Sequence, residues 1–211
     1  MKNYFILYFT LLFISCSNGQ ITKNEFPLGQ SNKSPNEQVA TFAEGCFWHS
    51  EIVFQSLVGV RDAVSGYSGG HDPSPSYEGV CEGSTGHAEA VQVYYDPQKV
   101  SYETLVKAFF SSMDPTQLNR QGNDRGSQYR SAAFYRTDTE KAIIDAEIKR
   151  LTDSKKYNRP LVTEVKPFVN FYPAEKYHQE YVHYHPDNGY VSGVSIPEYL
   201  EWKKEFKGNF K

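Results

Sequence analysis

The chain has 211 residues and a net charge of −3, with 39% hydrophobic and 22% charged residues. That is an ordinary balance for a soluble globular protein with one domain-sized core, and it lacks the basic excess expected of a nucleic-acid binder. Three cysteines, Cys16, Cys46 and Cys81, exclude a fully paired disulfide framework, and no CxxC or Cys/His spacing of a structural zinc site occurs.

Residues 1–16, MKNYFILYFTLLFISC, place a lysine before a short apolar run that ends in a small residue and a cysteine. The run is short for a membrane span and has the shape of a secretory signal. Its end, Phe13-Ile14-Ser15-Cys16, resembles a bacterial lipoprotein box, which implies cleavage before Cys16, a lipidated Cys16 and an extracytoplasmic, membrane-anchored protein. The box departs from the usual form, with Phe13 where Leu is common, and a plain signal peptide or an uncleaved anchor stays open. Ser17 to Gln38 is polar, rich in Pro, Gly, Ser and Asn, and has no apolar period. It reads as a flexible tether, spanning roughly 25 Å as a random coil. The folded domain is expected over 39–211.

Within it, Val39–Ala43 alternates as a strand. Gly45 breaks it, Phe47–Leu57 has helical spacing, and Gly59 ends that helix. Val60–Tyr67 is a second strand, and SGYSGGHDPSP from Ser65 a loop. Ala88–Tyr95 is a strand stopped by Asp96-Pro97, and Ser101 caps a helix carrying Leu105, Val106, Phe109 and Phe110. Asp114–Gln128 is a long polar loop of the kind that is functional or disordered. Tyr129–Arg136 is a strand, Thr139–Leu151 an amphipathic helix, Leu161–Phe168 a strand and Pro173–Tyr184 a short aromatic helix. The C-terminal region is expected to be coil-rich. Strands alternating with helices fit a two-layer α+β sandwich.

The chemistry concentrates at EGCFWHSE, residues 44–51. Cys46 stands where a strand ends and a helix begins, and a helix N-terminus favours a thiolate. Position alone leaves open whether it is reactive or a small hydrophobe tucked into the junction. Phe47 and Trp48 point about 100° apart on a helix, so one or both can line a pocket over the thiol rather than share the core. Glu89, opening an apolar strand, is either a carboxyl of raised pKa and a proton donor, or a solvated strand edge. Tyr77, Asp124 and Tyr129 lie in or beside the polar loops, where phenols and a carboxylate can bond an oxygen or a water. Aromatics make up 15% of the chain, 16 of them Tyr, which suits a pocket needing apolar walls and hydroxyl donors.

Together GCFW, GYSGG, Tyr77, GSTGHAEAVQVYYDP, DPTQLNRQGNDRGSQYRS and AEKYHQEY, running from Val39 to Tyr184, resemble the A-type peptide methionine sulfoxide reductases (MsrA). The resemblance implies a ferredoxin-like α+β sandwich. It also implies that Cys46 attacks the sulfoxide sulfur, Glu89 protonates the oxygen, Tyr77 and Tyr129 bond that oxygen, Asp124 positions water and nucleophile, and Phe47 and Trp48 cradle the methyl group. The products would be methionine and a cysteine sulfenic acid, from the S epimer. No metal or organic cofactor is implied. Expected partners are oxidised proteins, free methionine sulfoxide and an external thiol or thioredoxin-like reductant, with the enzyme a monomer.

Two departures bear on recycling. Pro186–Lys211 carries none of the family's C-terminal cysteines, and His49 stands where some members have a second cysteine. Direct reduction by an external thiol is therefore expected, with Cys81 as a lesser candidate for the resolving thiol and His49 as an exposed helix residue. Three alternatives compete: metal binding by His178, His183 and His185; a thiol hydrolase pairing Cys46 with His87 or His178; and a non-catalytic lipoprotein that binds methionine-rich partners through its aromatic pocket.

Overall fold

Alternation along the strands sorts side chains onto the two faces of one curled, mixed sheet in a computed structural model that describes residues 26–211. The signal segment, Cys16 and the first residues of the expected tether lie outside the described residues. Strands β1 (Gln38–Glu44), β2 (Val60–Ser68), β3 (Ala88–Tyr95), β6 (Ser131–Tyr135), β7 (Glu164–Pro167) and β8 (Phe171–Pro173) lie in the order β7-β6-β1-β3-β2-β8. All neighbours are antiparallel except β6 and β7. Two short strands, β4 (Arg120–Gln121) and β5 (Asp124–Arg125), form a separate hairpin inside the long polar loop.

Helix α1 (Phe47–Gln55) leads from β1 to β2, with β3 between them. Helix α3 (Tyr102–Ser111) leads from β3 to β6, with β1 between them. Both pack on the face that carries Phe42, Val91 and Val93. Phe42 stacks on Phe54 of α1 at 5.3 Å and on Phe109 of α3 at 5.0 Å between ring centroids, so one strand residue ties both helices to the sheet. Ser101 caps α3 as expected, its hydroxyl accepting from Thr104 N at 3.1 Å. The opposite face is built from Ala43, Ala88, Ala90, Ala132 and Phe134, with Phe168 and Phe171 packed over them. Helix α2 (Tyr77–Cys81), capped by Ser76, is an element the sequence reading did not anticipate, and α4 (Asp138–Asp153) packs against α3 and β6.

Three expectations are corrected here. The tether does not run free to Gln38. Phe26 is 4% exposed, against Tyr199, and its carbonyl accepts from His183 Nδ1 at 2.8 Å. Gly29 N donates to Glu180 Oε1 at 3.0 Å and Gln30 N to Arg61 O at 2.8 Å. Burying one Phe contributes about 1.5–3 kcal/mol, enough to hold a polar strap down at its start. The C-terminal region is not coil-rich. Val191–Ser195 forms a π-helical turn that runs into helix α6 (Ile196–Glu205), and Val191, Ile196, Tyr199 and Trp202 are buried along one stripe. The aromatic helix expected over Pro173–Tyr184 is two pieces, a 3₁₀ turn at Lys176–His178 and a one-turn helix α5 (Tyr181–Tyr184). Extended Gln179 and left-handed Glu180 (φ 54°) separate them.

Candidate active site

Gly45 sets the geometry of the thiol. Its φ is +105°, and a Cβ there would stand 2.7 Å from Gln121 Cβ, so only glycine turns β1 into α1 beneath the hairpin loop. Cys46 is then the extended residue preceding α1. The first amides of that helix are shared out. Phe47 N donates to Glu89 Oε2 at 3.0 Å, and the Trp48 amide lies near the Cys46 sulfur, where it favours the anion.

Every side chain expected at the site, Cys46, Phe47, Trp48, Tyr77, Glu89, Asp124 and Tyr129, lines one cavity of about 170 Å³, joined by Tyr190. Glu89 is 1% exposed, on the helix-covered face of β3 in register with Tyr67. Burial first, then Asp124, pushes its carboxyl up to about 8 against the Phe47 N–H, so it holds its proton at neutral pH. It is not a solvated strand edge. Tyr77 and Tyr129 are raised above ordinary phenols by burial and by Glu89, and stay neutral donors. Phe47 is fully buried between Tyr67, Tyr77 and His178. Trp48 is half-buried, stacked on Tyr181 at 3.8 Å, with its Nε1 donating to His178 Nδ1 at 3.2 Å.

The expected lowering of the Cys46 pKa is overturned. Burial, the Glu89 carboxyl and Asp124 push the thiol well above its ordinary value, outweighing the Trp48 amide and the Tyr190 hydroxyl. The thiol is half-buried and borders an open groove, but two groups that would both be anionic face each other there, so the resting pair keeps its protons.

Tyr190 is the functional residue that sequence reasoning missed. Its hydroxyl donates to Asp124 Oδ2 at 2.5 Å and reaches the thiol. No local motif marks it: it is one tyrosine of many, in a stretch read as coil. His49 is also corrected. It is buried, its ring nitrogens 3.4 Å from Ser195 O and 3.3 Å from Ser112 O, because α1 is covered on that side by the C-terminal segment. Burial lowers its pKa. Glu44 lies beneath it with 1% exposure, one oxygen accepting from Ser112 Oγ, and burial raises its carboxyl to about 8.

Cys81, at the end of α2, is half-buried, near the Tyr77 hydroxyl, and its pKa is raised by burial. Of the histidines of the competing readings, His87 and His183 are hydrogen-bonded away from the thiol, and His178 packs on Phe47 and Tyr77 with its Nδ1 taken by Trp48. His87 Nδ1 accepts from Gly70 N at 3.0 Å and its Nε2 donates to Asp72 O at 2.8 Å. His178 takes the Trp48 N–H, and His183 holds the strap. Among the described residues no three His, Cys, Asp or Glu side chains converge on a common metal position, and no helix is long and apolar enough to cross a membrane.

Comparison with known proteins gives the family. The pattern of the family described as peptide methionine sulfoxide reductase matches residues 38–209. Peptide methionine sulfoxide reductase MsrA 1 of Rhodopirellula baltica is 46% identical over 177 residues, 84% of this chain and 91% of that one. The MsrA of Nautilia profundicola is 49% identical over 171 residues, 80% and 97% of the two chains. Among solved structures, methionine sulfoxide reductase A of Corynebacterium diphtheriae superposes with a TM-score of 0.66 at 31% identity, covering 80% of this chain and 86% of that one. Reduced Mxr1 from Saccharomyces cerevisiae gives 0.62 at 35%, covering 74% and 91%. With its thiol, neutral carboxyl and phenols gathered in one aromatic chamber, and with matches of this length, the chain belongs to the peptide methionine sulfoxide reductase family.

Proposed function

We propose that the chain is a peptide-methionine (S)-S-oxide reductase in which the 170 Å³ chamber is the reaction pocket. The observation that carries this reading is the pairing of a buried, protonated carboxyl with a thiol among aromatic walls. A sulfoxide sulfur is a poor electrophile until its oxygen accepts a proton or strong hydrogen bonds. Tyr77, Tyr129 and protonated Glu89 supply those donors, while Phe47 and Trp48 enclose the methyl group. As the Glu89 proton passes to the oxygen, the Cys46 proton passes to Glu89, and sulfur attacks sulfur. Protonated again by Glu89, the oxygen leaves the sulfur–sulfur adduct as water; a water then adds to the Cys46 sulfur, the sulfur–sulfur bond breaks to release methionine, and Glu89 takes back a proton, leaving Cys46 as a sulfenic acid. Asp124, fixed by Tyr190, orients the thiol and a water.

Restoring Cys46 takes two further electrons. An external thiol condenses with the sulfenic acid, releasing water, and a second thiol frees Cys46. A thioredoxin-like protein with two thiols suits both steps, and no organic cofactor or metal is needed. The order β6-β1-β3-β2, joined through α1 and α3, supports reading the core as a ferredoxin-like sandwich. The leader sequence and Cys16 support placing the enzyme in the cell envelope, held by lipid, acting there on oxidised proteins.

The test is turnover of separated S and R methionine sulfoxide peptides with dithiothreitol. S-only reduction by wild type, abolished in Cys46→Ser, is the expected result. Reduction of neither epimer, or hydrolysis of thioester substrates without reductant, would overturn the reading.

A further inference from the structure

Cys46 lines two cavities. Besides the reaction chamber it borders an open groove of about 530 Å³, whose floor includes Glu44 and whose wall is α6. Along that wall stand Glu198, Glu201 and Glu205, exposed, at the i, i+3, i+7 spacing that puts them on one helix face. Among the described residues none of the three pairs with a cation, although Lys203 and Lys204 lie on the same helix. Lys203 is turned instead onto Tyr199 and Phe210. The groove contains one ammonium, Lys156. A second, independent feature is Glu44. It is 1% exposed, it lines the groove, and its Oε1 is buried without a hydrogen-bond partner. An unsatisfied carboxyl oxygen is rare in folded proteins, and a water or a bound polar group at the floor of the groove, or a turn of the nearby Ser50 hydroxyl, would supply its partner.

We propose that this groove binds the polypeptide flanking the methionine sulfoxide and selects segments with lysine or arginine beside the oxidised residue. The inference rests on the reductase reading and extends it from the reacting atoms to substrate sequence. Glu198 to Glu205 covers about 10 Å of helix, the length of about three extended residues. A peptide whose sulfoxide occupies the chamber therefore lays its neighbours along the three carboxylates. Ammonium and guanidinium groups bring several N–H donors and no acceptor, which matches a wall of acceptors. Acidic neighbours meet like charge and are rejected.

The test uses matched peptides carrying one (S)-methionine sulfoxide flanked by Lys, Gln or Glu. Wild type is expected to turn over the Lys peptide with a kcat/KM about tenfold above the Gln peptide and further above the Glu peptide, the gap closing as salt is raised. In the Glu198→Gln/Glu201→Gln/Glu205→Gln variant the Lys-to-Gln ratio should fall to about one. Binding of the same peptides in methionine form to Cys46→Ser, read by fluorescence anisotropy, needs no turnover and should show the same order. A failed reductase assay therefore still leaves the groove tested. Equal handling of the three peptides in both assays would overturn the proposal. So would a charge effect confined to the KM of the protein reductant, which would assign this face to the reductant.

Discussion

The sheet-and-helix framework that carries Cys46 and the C-terminal wrap that closes over it hold the site in different ways. In the framework each reacting group is placed by its own backbone: Cys46 by the turn at Gly45, Glu89 by strand register, Tyr77 by the cap at Ser76. The wrap, residues 174–205, contributes through bonds between residues far apart in sequence. Gln179 brackets Ser65, accepting from its N–H and donating to its carbonyl, both at 3.0 Å. Glu180 N binds Glu51 Oε1 at 2.9 Å, Trp48 binds His178, and Tyr190 binds Asp124. The framework holds the chemistry, and the wrap makes it dry and aims it. A change in the first should stop the reaction in an intact fold. A change in the second should loosen or misdirect it.

Glu89→Gln is the sharpest way to probe the first half of that contrast. Gln keeps the shape and the Phe47 N–H contact but has no proton to pass. Formation of the sulfenic acid in a single turnover should fall about 10²- to 10⁴-fold, with circular dichroism unchanged. The pH profile gives the sign. Glu89 is raised to about 8, so its proton is present from pH 6 to 7 and is lost as pH rises through about 8. Wild type should show that alkaline loss, and Glu89→Gln should not. A variant within a few-fold of wild type would show that the phenols suffice.

Gln179→Ala strikes the wrap at its anchor. It leaves the buried Ser65 N–H without its partner, at a cost of about 1–3 kcal/mol, while the Ser65 carbonyl still accepts from Ala174 N at 2.9 Å. Urea unfolding should report that loss, along with a raised KM and a smaller effect on single-turnover chemistry. Glu51, at the seam of framework and wrap, adds a pH test. Burial raises its carboxyl from 4.5 to about 8. Its contribution to stability is complete below the unfolded value and is lost as pH rises through about 8, by up to about 1.4 kcal/mol per pH unit. Glu44 and Glu89 titrate in the same direction. Thermal stability should therefore be higher near pH 5 than near pH 8, and Glu51→Gln should flatten that slope.

Tyr190→Phe separates aiming from folding. It removes one hydroxyl shared between Asp124 and the thiol, and a hydrogen bond to a charged group contributes about 1.5–3 kcal/mol. A loss of roughly tenfold in single-turnover rate is expected, with a fall in stability no larger than that one hydrogen bond. A large loss of stability instead would make Tyr190 a packing residue.

The two halves also differ in how far the sequence reveals them. Strand alternation through Phe42 and Val91, the Ser101 cap and the residues gathered around GCFW are local, so the central strands, α1, α3 and the chamber's lining are legible. The wrap is not. Tyr190, His49 and the stripe Val191, Ile196, Tyr199, Trp202 gain meaning only when α6 folds back over α1, and nothing within a few residues of any of them signals it. The direction of the Cys46 shift was hidden for the same reason. The helix terminus is a local feature, whereas Glu89, which opposes it, lies 42 residues away along the chain. Phe26 escaped notice because a single apolar residue in a polar run gives no period to read.

The smallest expected effect belongs to Cys81, and it tests whether the framework alone completes the cycle. Cys81 ends α2 beside Tyr77, which faces the chamber, so it stands one side chain away from the Cys46 thiol. Burial raises its pKa and keeps it protonated, and a protonated thiol is a poor nucleophile toward a sulfenic acid. Cys81→Ser also keeps a polar group beside Tyr77. The variant should therefore match wild type within about twofold, both in the first turnover and in steady-state turnover with dithiothreitol or thioredoxin. Mass spectrometry of wild type oxidised with substrate alone should find Cys46 as a sulfenic acid, trapped by dimedone, rather than a Cys46–Cys81 disulfide. If the disulfide forms, and Cys81→Ser keeps the first turnover but loses the later ones with thioredoxin, the framework carries its own resolving thiol. The external reductant would then act on Cys81 rather than on Cys46.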